Sequence, residues 1–140
     1  MNFYYPRLEK IKDFNQLNDT IFKVFLDFNN GNFENVLKEL KDKIGHIMTP
    51  VDCGYNGINL IIPGMNKAHG IEFLKDYWQL NGEIMSFGDS GNDKEMLKIS
   101  KYSYAMGNAK DEIKKVAKYV TDSNNKDGVL NAIDKMFRIK

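Results

Sequence analysis

The chain has 140 residues, of which 42% are hydrophobic and 28% charged, and its formal net charge is +1. No stretch approaches the roughly 18 consecutive apolar residues of a membrane span, and the lysines form no basic stripe, so this soluble-type composition argues against membrane and nucleic-acid partners. The single cysteine, Cys53, excludes an internal disulfide, and the N-terminus lacks the pattern of a secretion signal, which predicts a cytoplasmic protein.

The first half of the chain predicts a strand, a helix and a hairpin. Branched and aromatic residues alternate over 21–28, as in a half-buried strand. Apolar residues then recur at helical spacing over 33–44, which predicts an amphipathic helix. Two short apolar runs, 47–53 and 58–62, flank a Gly-Tyr-Asn-Gly sequence, and a turn of this composition is typical of a β-hairpin.

In the second half, helices alternate with short strands. Apolar residues at helical spacing predict a helix from Lys67 to about residue 80 with one broad apolar face, and a strand at 83–87 then leads into a polar loop. The elements predicted after that loop are a helix around Met96 and Leu97, a strand at 102–106, a helix at 109–117, a strand at 119–121, and a helix at 129–137 whose Val129, Leu130, Ile133, Met136 and Phe137 point inward. This alternation predicts an α/β fold with a parallel sheet.

The polar loop Gly88-Asp89-Ser90-Gly91-Asn92-Asp93 is a candidate metal site. Ligands of parallel α/β sheets bind beyond the carboxyl ends of strands, and here two carboxylates, Asp89 and Asp93, lie four residues apart at such an end. Oxygen ligands suit a hard cation such as Mg²⁺, and the flanking glycines are expected to let the backbone turn sharply. The alternative is a polar loop in which Asp89 begins the turn and Asp93 caps the next helix.

Lys67 is a candidate anion-binding residue. The sequence Pro63-Gly64-Met65-Asn66-Lys67-Ala68-His69-Gly70 places it in the first turn of a helix, where the helix dipole disfavours a positive charge by a few tenths to about 1 kcal/mol. Such a position suggests an anionic partner. The alternative is a solvated side chain, and the order of residues is not that of a Walker A loop.

Four sequence motifs in a fixed order resemble those of one enzyme family. The stretch P-G-M-N-K-A-H-G-I-E-F-L is similar to the lysine motif of Cof-type, subclass IIB haloacid dehalogenase-like phosphatases, and F-G-D-S-G-N-D-K-E-M-L is similar to their acidic metal motif. Residues 104–109 and 121–129 resemble two further signatures of these proteins. The strand, helix and hairpin before them resemble the end of the subclass's α/β cap, so residues 1–64 are assigned to a cap remnant and residues 65–140 to the C-terminal half of the Rossmann-like core.

The resemblance implies a Mg²⁺-dependent phosphohydrolase that acts on small phosphorylated metabolites. By that resemblance Asp89 is a magnesium ligand, Asp93 supports the metal site directly or through water, and Asn92 helps to orient the loop. Lys67 would neutralise the phosphoryl group and the attacking carboxylate. These roles agree with general chemistry, since phosphoryl transfer depends mostly on positioning and on charge neutralisation.

The sequence departs from the family in one respect. The family's aspartate nucleophile lies in a D-x-D-G-T-type segment before the cap, and no such segment occurs among these 140 residues. We therefore expect the chain to begin inside the cap and to be inactive by itself. It is either one half of a phosphatase or a non-catalytic phosphate-binding, Mg²⁺-binding or interaction module derived from one. We also expect the strand at 83–87 to form an open sheet edge, and hence a homodimer or a complementing N-terminal half as partner.

Overall fold

The computed structural model describes residues 9–28, 32–54 and 56–137, which form two three-stranded sheets with helices packed against them. The strands are β1 (Lys23–Asp27), β2 (Thr49–Asp52), β3 (Gly57–Ile61), β4 (Met85–Gly88), β5 (Tyr102–Ala105) and β6 (Tyr119–Val120). The helices are α1 (Phe33–Ile44), α2 (Lys67–Tyr77), α3 (Lys94–Ile99), α4 (Asp111–Lys114) and α5 (Gly128–Phe137), with 3-10 turns at Phe14–Gln16, Gly91–Asp93 and Asn124–Lys126.

The first sheet is antiparallel, with strand order β1-β3-β2, and α1 covers one of its faces. Phe33 and Leu37 of α1 pack against Ile58 and Leu60 of β3 in a buried apolar cluster. The predicted strand, helix and hairpin are therefore confirmed. In the hairpin turn Gly54 and Asn56 have positive φ angles of 84° and 58°, the conformation for which glycine and asparagine are suited.

The second sheet is parallel, with strand order β4-β5-β6. Its core consists of Leu97 from α3, Ala105 from β5, Ala109 and Ile113. The predicted parallel α/β sheet is confirmed, although α4 has only 4 residues and is shorter than the predicted helix at 109–117. Within the described segments, no helix has the length and apolar character needed to cross a membrane.

Several apolar side chains of the second sheet's helices are exposed. The broad apolar face of α2 buries only Ala68, whereas its aromatic residues Tyr77 and Phe73 are 71% and 59% exposed. In α5 the inward orientation predicted for Leu130 and Phe137 is wrong, because both are largely exposed and the small Ala132 is buried instead. No described element covers these side chains.

Strand β4 is an edge of the parallel sheet. Among the described strands it pairs only with β5, through the register Met85–Tyr102 to Gly88–Ala105. The open edge expected at 83–87 is thus present in the described part of the chain. Its free backbone groups are available to a further strand.

Candidate functional site

The two candidate motifs meet at the carboxyl end of β4. Helix α2 begins at Lys67, and the side chain of Asn66 caps it by accepting a hydrogen bond of 3.0 Å from the His69 N–H. The Nζ atom of Lys67 forms an ion pair with Oδ1 of Asp93. Lys67 therefore lies in a first helical turn, as the sequence predicts, and its partner within the chain is a carboxylate. The binding of an external anion by Lys67 stays a prediction.

Asp93 uses both of its carboxylate oxygens. While Oδ1 binds Lys67, Oδ2 accepts hydrogen bonds of 2.9 Å from the Asp89 N–H and 3.1 Å from the Ser90 N–H. The side chain is 5% exposed, so the charge is buried but well compensated. Asp93 occupies the N-cap position of α3, but its side chain forms no capping hydrogen bond to that helix and instead binds Lys67 and the preceding loop backbone. Direct ligation of a metal by Asp93 stays a prediction.

Asp89 is the exposed carboxylate of the loop. It follows Gly88, the last residue of β4, and its Oδ2 lies 3.4 Å from Nδ2 of Asn108. Carboxylate oxygen is the ligand that Mg²⁺ prefers, and this ion commonly uses only one or two protein carboxylates together with water and substrate phosphate. Across the described segments, no group of three or more His, Cys, Asp or Glu side chains could hold a metal ion. The residues present therefore fit one part of a magnesium site, with Asp89 as the available ligand.

Asn92 and Lys67 line a cleft of about 310 Å³ between the first sheet and the N-terminal ends of α2 and α3. On the opposite wall lie Lys23 of β1 and Asn59 of β3. Neither of these last two residues belongs to a recognised sequence motif. Strand alternation indicates which face of the sheet they occupy. The neighbours of Lys23 in β1 and of Asn59 in β3 pack against α1, so the side chains of Lys23 and Asn59 must lie on the other face.

The glycines of the acidic loop allow close approach of neighbouring groups, and the backbone turns from β4 into the 3-10 turn Gly91–Asp93 without a left-handed residue. Neither Gly88 nor Gly91 has a positive φ angle. A Cβ atom at Gly88 would lie 2.9 Å from Cγ of Asp93, and one at Gly91 would lie 3.0 Å from the carbonyl oxygen of Asp52. The small residues therefore let the buried carboxylate and the hairpin lie directly against the loop.

A second ion pair joins the hairpin to the loop after β5. Nζ of Lys110 lies 3.2 Å from Oδ2 of Asp52, whose Oδ1 accepts a hydrogen bond of 2.8 Å from the Gly54 N–H. The hydrogen bond to Asp52, and then its negative charge, raise the pKa of Lys110. Nothing in the sequence pointed to this pair, which is 58 residues apart in the chain.

Comparisons with known proteins identify the family. The family model described as haloacid dehalogenase-like hydrolase matches residues 1–133. The 5-amino-6-(5-phospho-D-ribitylamino)uracil phosphatase YbjI of Escherichia coli is 43% identical over 136 residues, which are 96% of this chain and 50% of that protein.

Solved structures agree with this assignment. The structure of SMU.1108c from Streptococcus mutans UA159 superposes with a TM-score of 0.81 at 34% identity, over 91% of this chain and 49% of the other. The subclass IIB sugar phosphatase BT4131 gives a TM-score of 0.74 at 29% identity, over 88% and 45%. The chain spans about half the length of these relatives. The resemblance inferred from the motifs is confirmed, and the chain belongs to the haloacid dehalogenase-like hydrolase family.

Proposed function

We propose that this chain forms the lysine and metal-carboxylate part of the active site of a Mg²⁺-dependent phosphohydrolase for small phosphorylated metabolites. The observation that supports this proposal most directly is the ion pair between Lys67 and Asp93 next to the exposed carboxylate of Asp89. A cation and a candidate metal ligand thereby lie at one strand end, as neutralisation of a phosphoryl group requires.

Each residue has a separate role in this proposal. Lys67, whose side chain is half exposed, binds the phosphoryl oxygens, and Asp93 holds both the lysine and the loop backbone in place. Asp89 binds Mg²⁺, and Asn92 orients the loop from the cleft wall. When bound, the metal ion supplies positive charge to the phosphoryl oxygens and orients the substrate.

The candidate substrate is 5-amino-6-(5-phospho-D-ribitylamino)uracil. Relatives from Escherichia coli and Bacillus subtilis bear the name of a phosphatase for this compound, at 43% and 40% identity over the matched residues. The cleft beside Lys67 offers Lys23 and Asn59 for polar contacts and the side chains of Val51 and Ile61 for apolar ones. Such a lining suits a leaving group with a polar chain and a flat ring.

Hydrolysis further requires a nucleophile from outside these 140 residues, because covalent capture of the phosphoryl group needs the aspartate that this sequence lacks. In this proposal the chain works with a polypeptide that provides a D-x-D-G-T strand. That strand would pair with the free edge of β4.

A fusion protein tests the proposed function. The part of the Escherichia coli relative that lies outside the match would be joined to this chain, and hydrolysis of 5-amino-6-(5-phospho-D-ribitylamino)uracil and of p-nitrophenyl phosphate would be followed with and without Mg²⁺. We expect Mg²⁺-dependent turnover that Lys67→Ala lowers by about 100-fold or more. Lys98→Ala, at an exposed lysine of α3, is the matched control and should retain activity. A folded fusion protein without turnover, or with equal activity after Lys67→Ala, would contradict the proposal.

A further inference from the structure

The signatures at residues 104–109 and 121–129 have no role in the proposed function, yet the structure connects them to the acidic loop. The connection is the side chain of Asn108, in the segment between β5 and α4. Its Oδ1 accepts a hydrogen bond of 3.1 Å from the Asn124 N–H, and its Nδ2 lies 3.4 Å from Oδ2 of Asp89.

The orientation of the Asn108 amide follows from its partners. A backbone N–H can only donate, so the oxygen of the amide must face Asn124, and the NH₂ group then faces the carboxylate of Asp89. Asparagine can do both because it combines an acceptor and a donor on one planar group. An alanine at this position provides neither an acceptor nor a donor. An aspartate would place a second negative charge next to that of Asp89.

The backbone around Asn108 is fixed on both sides. The Met106 N–H donates to the Gly88 carbonyl at 2.9 Å, and the Gly107 N–H donates to the Asp122 carbonyl at 3.1 Å. A Cβ atom at Gly107 would lie 2.9 Å from the Ser123 nitrogen, so this segment packs directly against the signature at residues 121–129, here called the closing motif. The backbone at Asn108 is therefore held within reach of both partners.

The donor at Asn124 is held in place as well. The side chain of Asn131 in α5 donates to Oδ2 of Asp122 at 3.0 Å and to the Lys126 carbonyl at 2.9 Å, on either side of Asn124. The loop that presents the Asn124 N–H is thus tied to a helix. Asp89 is in this way connected to α5 through the hydrogen bonds of Asn108 and Asn131 and the loop backbone between them.

We propose that Asn108 is a positioning residue for Asp89: its amide, oriented by the Asn124 N–H, fixes the carboxylate in the direction needed to bind a cation. This proposal rests on the proposed function, in which Asp89 is the magnesium ligand. Hydrogen-bond partners of this kind orient metal ligands in many sites. The closing motif then contributes to the site at a distance, through a backbone N–H and without contacting the substrate.

A pair of variants at Asn124 separates the backbone donor from the side chain. Asn124→Pro removes the N–H, and proline is suited to the first position of a helical turn that follows Ser123, whose φ of −69° and ψ of 163° are extended. Asn124→Ala removes only the side chain. Without metal, we expect the chemical shift of the Asp89 carboxyl ¹³C to change in the variants Asn124→Pro and Asn108→Ala. In Asn124→Ala this chemical shift should equal that of the unmodified chain. Circular dichroism verifies that each variant is folded.

The decisive comparison is the double variant. If the Asn124 N–H acts through Asn108, then Asn124→Pro should have no further effect on the Asp89 resonance in an Asn108→Ala background. An unchanged Asp89 resonance in folded Asn124→Pro, or an equal shift in both backgrounds, overturns the proposal.

Magnesium binding is the second readout, followed by NMR over a series of MgCl₂ concentrations. We expect Asn108→Ala and Asn124→Pro each to weaken binding, by about 10-fold for Asn108→Ala, and Asn124→Ala to leave it unchanged. Equal affinity of Asn108→Ala and the unmodified chain overturns the proposal. If the unmodified chain binds no Mg²⁺, the metal assignment of the proposed function fails, and the metal-free resonances still decide whether Asn108 positions Asp89.

Discussion

Lys67 and Asp93 are 26 residues apart in the chain and form an ion pair in which the aspartate side chain is 5% exposed and the lysine side chain 50% exposed. A buried carboxylate is tolerated only when it is paired and hydrogen-bonded, and Asp93 meets this condition through Lys67 and two backbone N–H groups. The position of Asp93 consequently determines where the lysine of α2 and the backbone of the acidic loop lie.

Adding a methyl group at Gly88 should displace Asp93. The new Cβ would lie 2.9 Å from Cγ and 3.0 Å from Oδ2 of Asp93, which has no room to retreat because it is buried. We expect Gly88→Ala to lower the free energy of unfolding by about 1–3 kcal/mol in urea denaturation. Gly70→Ala is the control: it lies within α2 with no atom within 4 Å of the added Cβ, and should raise stability by about 0.5–1 kcal/mol. Similar effects of the two changes would contradict the packing described for Gly88.

Magnesium should bind weakly at the loop 88–93. We expect Asp89→Asn to weaken binding in isothermal titration calorimetry, because it removes the charge of the exposed carboxylate. Asp134→Asn, at an exposed aspartate of α5, changes the net charge equally and should bind as the unmodified chain does. Equal affinity of Asp89→Asn and the unmodified chain would exclude Asp89 as the ligand.

The purified 140-residue chain should not hydrolyse p-nitrophenyl phosphate. None of its residues is expected to replace the missing nucleophile, so Lys67 and Asp89 can bind phosphate and metal without a covalent step. Turnover that disappears in Asp89→Ala would refute this expectation. Turnover that persists in that variant would indicate a contaminating phosphatase.

The ion pair between Lys110 and Asp52 should stabilise the chain slightly and in a pH-dependent way. The pKa of Lys110 is raised in the folded state, so the stabilisation is complete below the ordinary lysine range and is lost as pH rises through the raised pKa. Because Lys110 is 63% exposed, we expect Lys110→Ala to cost only about 0.5 kcal/mol at pH 7, and less at about pH 11. Thermal denaturation at both pH values measures this, with Lys135→Ala as the control. A cost that does not change with pH would contradict it.

The chain should self-associate when it is alone, through the edge of β4 with the exposed residues of α2 contributing. Unpaired edge strands and apolar patches of several hundred Å² are rarely left open in soluble monomers. We expect static light scattering at micromolar concentration to give a dimer or a larger species. Tyr77→Glu, at a 71% exposed position, should shift the association equilibrium towards the monomer without lowering the free energy of unfolding of the chain. A monodisperse monomer with cooperative unfolding would mean that the edge is covered in another way.

Periodicity predicted the elements that have strong apolar patterns of their own. The predicted bounds of α1 and the observed Phe33–Ile44 are the same, and the hairpin follows from Gly54 and Asn56. The pattern could not predict that Leu130 and Phe137 are exposed, because an amphipathic face shows only that a residue is apolar. Whether another element covers that face depends on the whole fold.

The site was predictable where chemistry-bearing residues form short motifs. Lys67, Asp89, Asn92 and Asp93 lie at or beside one strand end, as the motif order suggested. Strand alternation predicts the sheet face on which Lys23 lies. Its place in the cleft and the pair of Asp52 with Lys110 were not predictable, since each depends on how the first sheet packs against the second half of the chain. Single residues in different elements leave no local signal for such contacts.

The exposed position of Trp78 has a practical consequence. It is the only tryptophan of the chain, lies directly after α2, is 59% exposed, and has its ring edge-on to Tyr77 at a centroid distance of 6.4 Å. Indole fluorescence moves to shorter wavelength when water is removed from around the ring. The emission spectrum is therefore an intrinsic optical probe of whatever binds over α2, without any label and with no second indole to obscure the signal.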